Sequence, residues 1–297
     1  TTLDETQNAD IINYRGIVAE RGVVPRAIPP VPGTRFMRTD VPQRTDYRPA
    51  NLGRNDPDSP IPLMTIMTKN LAPYQQKPAV TTLTPGMQRA ISDIKGYLVK
   101  TVGRVKNITF KAAWGVLDKD TSCGPYLSGK KADYVDDAGC PTGSLREHLL
   151  AAWSTAHSGR PLNHIYAGGL KDELRPLAKV KEGKKRLLWG CDAGVCLVAN
   201  AVLWPVAIRL QAFANHGPVA VGVCMDSLDA TDIYQLIGER YAAFDYSKWD
   251  STMSPAVISA AIDLLISCCD DTPLTRSVAL TLKSAPKMVV DTLVVTA

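Results

Sequence analysis

No run of 18 or more apolar residues interrupts this 297-residue chain, although 45% of it is hydrophobic, so no membrane span is expected. Thr1 to Asp10 is polar and holds no signal-peptide core. The seven cysteines, at 123, 140, 191, 196, 224, 268 and 269, form no paired C-x2-C arrangement. Cys191 and Cys196 fall in an apolar helical pattern and Cys268 adjoins Cys269, so they read as reduced core residues of a cytosolic protein rather than zinc ligands. The four histidines, at 148, 157, 164 and 216, lack metal-ligand spacing. No internal repeat or low-complexity tract is visible. A net charge of +5 suits an anionic partner without selecting one.

What is there divides into three zones. Residues 1–62 are turn-rich: nine of the 21 prolines lie between Pro25 and Pro62, and seven arginines between Arg21 and Arg54. Such a stretch is too irregular for a core of its own and reads as an extended arm. In residues 63–215, apolar positions 87, 90, 91, 94, 97 and 98 mark a helical face, and Leu145 to His157 reads as a second amphipathic helix. Cys191 to Phe213 reads as a long apolar helix, buried between subdomains, that Pro205 should kink or split. Residues 216–297 alternate: strand Val219–Cys224, helix Asp229–Tyr241, strand Ala242–Asp245, helix Pro255–Cys268, then a strand pair or one long strand over Met288–Val295. That order suits an α+β architecture.

Three segments carry chemistry. In Phe244-Asp245-Tyr246-Ser247-Lys248-Trp249-Asp250-Ser251-Thr252, two carboxylates stand five residues apart at the end of an apolar run. A buried strand ending at an Asp puts hard oxygens at a sheet rim, where a divalent cation can reach them. The bland reading is a helix cap and a solvated charge. From Lys171 to Arg186 there are seven Lys/Arg against three Asp/Glu. Apolar Ile165-Tyr166-Ala167 and Leu187-Leu188-Trp189 bound this run, so it reads as an anchored strand-turn-strand ribbon whose cations could line a polyphosphate tunnel, rather than as a solvated arm. Thr121-Ser122-Cys123-Gly124-Pro125-Tyr126, followed by Gly129-Lys130-Lys131, offers small residues and hydroxyls that let a backbone approach phosphates; alone it would be a turn. Tyr134-Val135-Asp136-Asp137 mimics a metal-binding hairpin, but its flanks read as loop, so a surface turn is expected. Asp270-Asp271 reads as a helix-to-helix turn.

In wording, spacing and order these segments resemble motifs G, F and A of calicivirus RNA-dependent RNA polymerases, and DYSKWDSTMSP is closest to the sapovirus and lagovirus branches. The chain has Gly-Pro-Tyr in motif G where many relatives carry Gly-Tyr-Pro. PVPGTRFMRTDVP is similar to the N-terminal segment that ties fingers to thumb, and Thr1 to about Ala19 could be the tail of an upstream protease. The resemblance implies an α+β right-hand polymerase: residues 1–62 an arm bridging fingers and thumb, 63–215 the fingers, 216–297 a partial palm.

By that resemblance Arg186 and Lys171 would meet the incoming triphosphate, with Lys179, Lys184, Lys185 and Arg175 beside them. Asp245 would hold Mg²⁺ or Mn²⁺, with the Tyr246 carbonyl as a further ligand, and Asp250 would test the ribose 2′-OH. Thr121, Ser122, Gly124, Lys130 and Lys131 would line the template RNA path. Implied partners are template and primer RNA, NTPs, a viral genome-linked protein, and the remainder of the polymerase with motif C and thumb. The expected setting is replication complexes in the host cytoplasm. The chain stops about where motif B should begin, so an incomplete polymerase, inactive alone, is expected. Two alternatives stay open: a non-catalytic RNA- or nucleotide-binding fragment, and another palm enzyme such as a reverse transcriptase. The small Ser251 and Thr252 after Asp250 favour RNA synthesis over the latter.

Overall fold

Three helices of this chain open with the same device, a hydroxyl followed by proline. Thr84, Ser254 and Thr272 each accept a hydrogen bond from the backbone N–H three residues on, and Pro85, Pro255 and Pro273 occupy the first helical position. Proline costs nothing there, because that N–H has no partner within the helix. The computed structural model describes residues 12–13, 17–18, 47–49, 61, 63–75, 82–171, 174–184, 186–213, 219–223, 229–238, 240–246, 249–290 and 293–296.

The helices are α1 (Leu63–Leu71), α2 (Pro85–Thr101), α3 (Phe110–Val116), α4 (Gly143–His157), α5 (Leu177–Lys181), α6 (Ala193–Gln211), α7 (Asp229–Ile237), α8 (Trp249–Thr252), α9 (Pro255–Ile266) and α10 (Pro273–Lys283). The strands are β1 (Ile12–Asn13), β2 (Ile17–Val18), β3 (Tyr47–Pro49), β4 (Ile165–Leu170), β5 (Leu174–Pro176), β6 (Leu187–Cys191), β7 (Lys287–Val290) and β8 (Leu293–Thr296). β6, β4, β7 and β8 form a four-stranded sheet in that order, with β4 antiparallel to β6 and parallel to β7, and β7 antiparallel to β8. The terminal segment is therefore a strand pair. β3 pairs with β5 antiparallel, Arg48 opposite Arg175, which attaches the proline-rich region to the basic segment through backbone bonds. Apart from these short strands and Ile61, residues 1–62 lie outside the described set.

Helix α6 is the spine of the core. Val195, Leu197, Val198, Ala201, Val202 and Val206 are buried against Trp114 of α3, Leu145 and Leu149 of α4, and Leu274 and Val278 of α10. With 19 residues and a mean hydropathy of 1.8 it is long and apolar enough, by length and composition, to cross a membrane; here it fills the core. Pro205 neither splits nor ends it. Proline withholds the N–H that would bond the Ala201 carbonyl, and that carbonyl instead accepts from the Ile108 N–H at 2.9 Å. The lost helical bond thus docks the segment leading into α3.

Four expectations are corrected. Cys191 is not helical: it ends β6, because Asp192 takes the cap position and starts α6 at Ala193. Residues 219–223 form a turn rather than a strand, with Val223 donating to the Ala220 carbonyl and Gly222 at φ 101°. Helix α7 stops at Ile237, before Tyr241, because Gly238 takes the left-handed conformation (φ 76°) and donates to Tyr234. Ala242–Asp245 is not a strand. Residues 240–246 have no regular structure, and Tyr241 and Phe244 are 71% and 84% exposed. A strand exists only as part of a ladder, and no described strand pairs with this segment.

If α6 is the spine, Leu197→Ala should cost about 2–5 kcal/mol by urea denaturation, while Ile258→Ala on the outer part of α9 should cost less than about 1 kcal/mol.

Candidate nucleotide and template site

The basic segment is anchored by β4 and β6, whose register runs from Tyr166–Cys191 to Leu170–Leu187. One step beyond, the Lys171 N–H donates to the Arg186 carbonyl at 2.8 Å, which puts these two cationic residues side by side at the ribbon's base. The excursion between them is not the plain turn expected. β5 is followed by the single-turn helix α5, closed at Gly183 (φ 66°), and the Lys184 N–H donates to the Lys179 carbonyl at 2.9 Å. Lys179 and Lys184 are thereby neighbours on the second level. Buried Val180 and the close approach of Gly183 to Ile61 and Ile66 seat this turn against α1. Lys184 pairs with Glu182, whose carboxyl it holds below the usual range. Arg186 is exposed and Lys171 half-buried. The Arg175 side chain and all of Lys185 lie outside the described residues.

Residues 121–131 form a closed loop: Cys123 donates to the Gly129 carbonyl, and the Lys131 N–H donates to the Thr121 carbonyl. The loop rests on the end of β6. Gly124, at φ 93°, comes so close that an added Cβ would lie 2.6 Å from the Asp192 Cα and 2.7 Å from the Cys191 carbonyl oxygen. The Ala193 N–H donates to the Cys123 carbonyl at 3.0 Å. Lys131, expected along the template path, is only 4% exposed and turned inward. Lys130 is half-buried and donates its N–H to the Asp133 carboxylate. Burial pushes the Cys123 thiol up to about 11, so it stays protonated.

Asp192 joins the two segments, and the sequence reading missed it. It is 3% exposed; one carboxylate oxygen accepts from the Val195 N–H at 3.0 Å and the other lies 2.7 Å from His148 Nε2. That hydrogen bond raises the His148 pKa against the opposing effect of burial. Tyr126, whose hydroxyl accepts from Asn163 Nδ2 at 2.7 Å, packs its ring on His148. The available signal was an Asp between an apolar strand and an apolar helix, which is a cap pattern.

The two carboxylates of the third segment are not assembled in the same way. Asp245 is exposed on the irregular stretch; Asp250 lies within α8, its side chain outside the described residues. Between them the Tyr246 and Trp249 rings meet at 4.7 Å. Among the described residues no group of three or more His, Cys, Asp or Glu could hold a metal ion. Asp245 has the right chemistry for a hard divalent cation, but one described carboxylate is not a metal site. The Asp136-Asp137 pair is a surface turn: the Asp136 carboxylate accepts from the Ala138 and Cys140 N–H groups. Asp270 and Asp271 lie between α9 and α10, facing Arg104 and Arg276.

A basic ribbon and a glycine loop fastened at one capped helix, beside a mixed sheet, belong to a right-hand polymerase fold. The chain superposes on the Sicinivirus 3Dpol RNA dependent RNA polymerase with a TM-score of 0.66 at 17% identity, covering 94% of this chain and 60% of that one. Residues 37–297 match the family model described as viral RNA-dependent RNA polymerase, and the chain belongs to that family. It is 42% identical over 95% of its length to the genome polyprotein of bovine enteric calicivirus Newbury agent-1, and 39% identical over 93% to that of feline calicivirus. It spans only 13% and 16% of those polyproteins.

Two measurements check the junction. Gly124→Ala should lose about 1–3 kcal/mol in denaturant unfolding, since it must distort the loop or leave a favoured backbone conformation. His148 has a folded pKa above its unfolded value of about 6.5, so the stability from its charged pair is full below that pH and is lost as pH rises through the folded value. The Tm gap between wild type and His148→Gln should therefore be wider at pH 6 than at pH 8; a gap independent of pH would mean that only a neutral hydrogen bond is present.

Proposed function

We propose that this chain provides the nucleotide channel and template path of an enzyme that copies RNA into RNA, adding nucleotides from NTPs to a primer 3′-OH. The observation that carries this reading is the pairing of Lys171 with Arg186 at the base of an anchored ribbon, in a chain of the viral RNA-dependent RNA polymerase family. Arg186 is exposed and can offer its planar fork to phosphate oxygens, while Lys171, Lys179 and Lys184 act as point charges around it. Cations fixed before substrate arrives neutralise the triphosphate and offset charge that builds on pyrophosphate. A divalent ion, Mg²⁺ or Mn²⁺, would supply Lewis acidity at the reacting phosphate, and Asp245 is the residue here that suits it. Asp250 would accept a hydrogen bond from the ribose 2′-OH. The proposed division is an arm over 1–62, fingers over 63–215 and part of a palm over 216–297.

The chain covers 60% of the solved polymerase it matches, and no described carboxylate cluster joins Asp245. We therefore read it as needing the remainder of the polymerase for turnover, with RNA and a genome-linked protein as partners of the whole. The exposed, irregular stretch around Asp245 favours a second reading, a fragment that binds RNA or nucleotide without catalysis. Templated incorporation by residues 1–297 alone would refute both the dependence on other segments and that second reading.

In the full-length parent enzyme, Arg186→Ala should weaken nucleotide binding by about 1.5–3 kcal/mol and Arg186→Lys should recover only part. Unchanged KM and kcat would make Arg186 a surface cation only. Asp245→Asn should abolish turnover, while Asp250→Asn should leave activity and narrow the preference for NTP over dNTP, since an amide is a poor cation ligand yet still accepts a hydrogen bond. The comparison is kcat/KM for one NTP and its dNTP in each variant.

A further inference from the structure

We propose that Lys131 is a positioning residue for the template loop and makes no contact with RNA. The proposal rests on reading residues 121–124 as the loop that meets the template. A lysine within a basic, glycine-containing loop would ordinarily be assigned to a phosphate. The ammonium here points the other way. Lys131 is 4% exposed, and its Nζ donates to Thr121 Oγ1 at 2.6 Å, to the Ser122 carbonyl at 2.6 Å and to the Thr121 carbonyl at 3.4 Å. An ammonium has three donors, and all three are accounted for. A buried charge is tolerated only when so satisfied.

The consequence falls on the two hydroxyls of the loop. The Thr121 hydroxyl accepts from Lys131 and donates to the Asp118 carbonyl at 2.8 Å, so both of its roles are taken internally. The Ser122 hydroxyl accepts from the Gly124 N–H at 2.8 Å, and among the described residues it donates to none. Ser122 is half-buried where Lys131 is closed off. On the inner side the loop is held by the Lys131 and Cys123 N–H groups and by the Ala193 bond. Lys131 thus fixes the carbonyl of Ser122 from within and leaves its O–H as the donor available to a phosphodiester oxygen of single-stranded RNA.

The test is equilibrium binding of a single-stranded RNA oligonucleotide to the full-length parent polymerase across a salt series, for wild type, Lys131→Met, Thr121→Val, their double variant, and Ser122→Ala. Each phosphate contact by a cation adds about 0.7 to the slope of log K against log salt for single strands. We expect Lys131→Met to weaken binding on the order of 5–10-fold with the slope and the KM for NTP unchanged, the pattern left when an internal bond rather than a phosphate contact is lost. Thr121→Val, which keeps the charge and the side-chain shape, should produce a similar loss, and the double variant should add nothing to either. Thr121→Val also keeps the question answerable if Lys131→Met does not fold. Ser122→Ala should weaken binding several-fold with unchanged Tm. A slope lowered by about 0.7 in Lys131→Met would overturn the proposal by making Lys131 a phosphate contact, and so would wild-type affinity in both Lys131→Met and Thr121→Val. Failure of the wild-type enzyme to bind RNA at all would remove the polymerase reading together with this one, an outcome distinct from a changed slope.

Discussion

Asp192 sits where β6 ends and α6 begins, and its two carboxylate oxygens take separate tasks: one caps the helix through Val195 N–H and the other holds His148 of α4. A carboxylate so deeply buried is stable only because both oxygens are bonded and because it faces the positive end of a 19-residue helix. Its backbone also forms the floor against which Gly124 lies with no room for a side chain. The ribbon that carries Arg186, the loop that carries Ser122, and helices α4 and α6 therefore meet at one residue. Any shift at that point is shared by the proposed triphosphate and template contacts.

The mechanical contrast along the ribbon follows from this. At its base, β4 and β6 are fixed in a sheet whose other side continues into β7 and β8. At its tip the cations stand in solvent, and the Lys184–Glu182 pair there contributes little to stability because water screens it. What holds the tip is apolar: buried Val180, and Gly183 close to Ile61 and Ile66. The arrangement keeps the charges accessible while a small hydrophobic contact and the β3–β5 backbone bonds set their position.

Features written by short-range rules were legible in the sequence. The helices over 87–98 and 145–157, the helix that begins at Pro255, and the Asp136 turn depend on residues three or four apart, although Ala90 and Ile94 of the expected α2 face are exposed. Features that depend on distant partners were not. The helix expected from Cys191 loses that residue to β6 because β4, more than 20 residues upstream by the Tyr166–Cys191 register, claims it. Pro205 read as a kink or a split because nothing in the local pattern tells that Ile108 will take the freed carbonyl. Lys131 read as a cation on the template path because burial of an ammonium has no signature in sequence; only the fold shows three acceptors around it.

The stretch around Asp245 completes this contrast. Tyr241-Ala242-Ala243-Phe244 has the apolarity of a buried strand, yet it lies exposed without a ladder partner among the described residues. Among the described residues, the ring contact in this stretch is a local one, between Tyr246 and Trp249. The loop at 121–124 and the ribbon at 171–186, by comparison, are closed by hydrogen bonds to β6 and to α6, all supplied by this chain. Among the described residues, the parts proposed to hold template and triphosphate are closed by backbone bonds, whereas the stretch proposed to hold the metal has no ladder partner. Polar recognition can be built from bonds within one subdomain, but a carboxylate at a sheet rim is placed only when its strand is paired on the inner side. The proposed binding role and the proposed metal role thus rest on different supports: hydrogen bonds around Asp192 for the first, and for the second a strand pairing that the described residues do not supply.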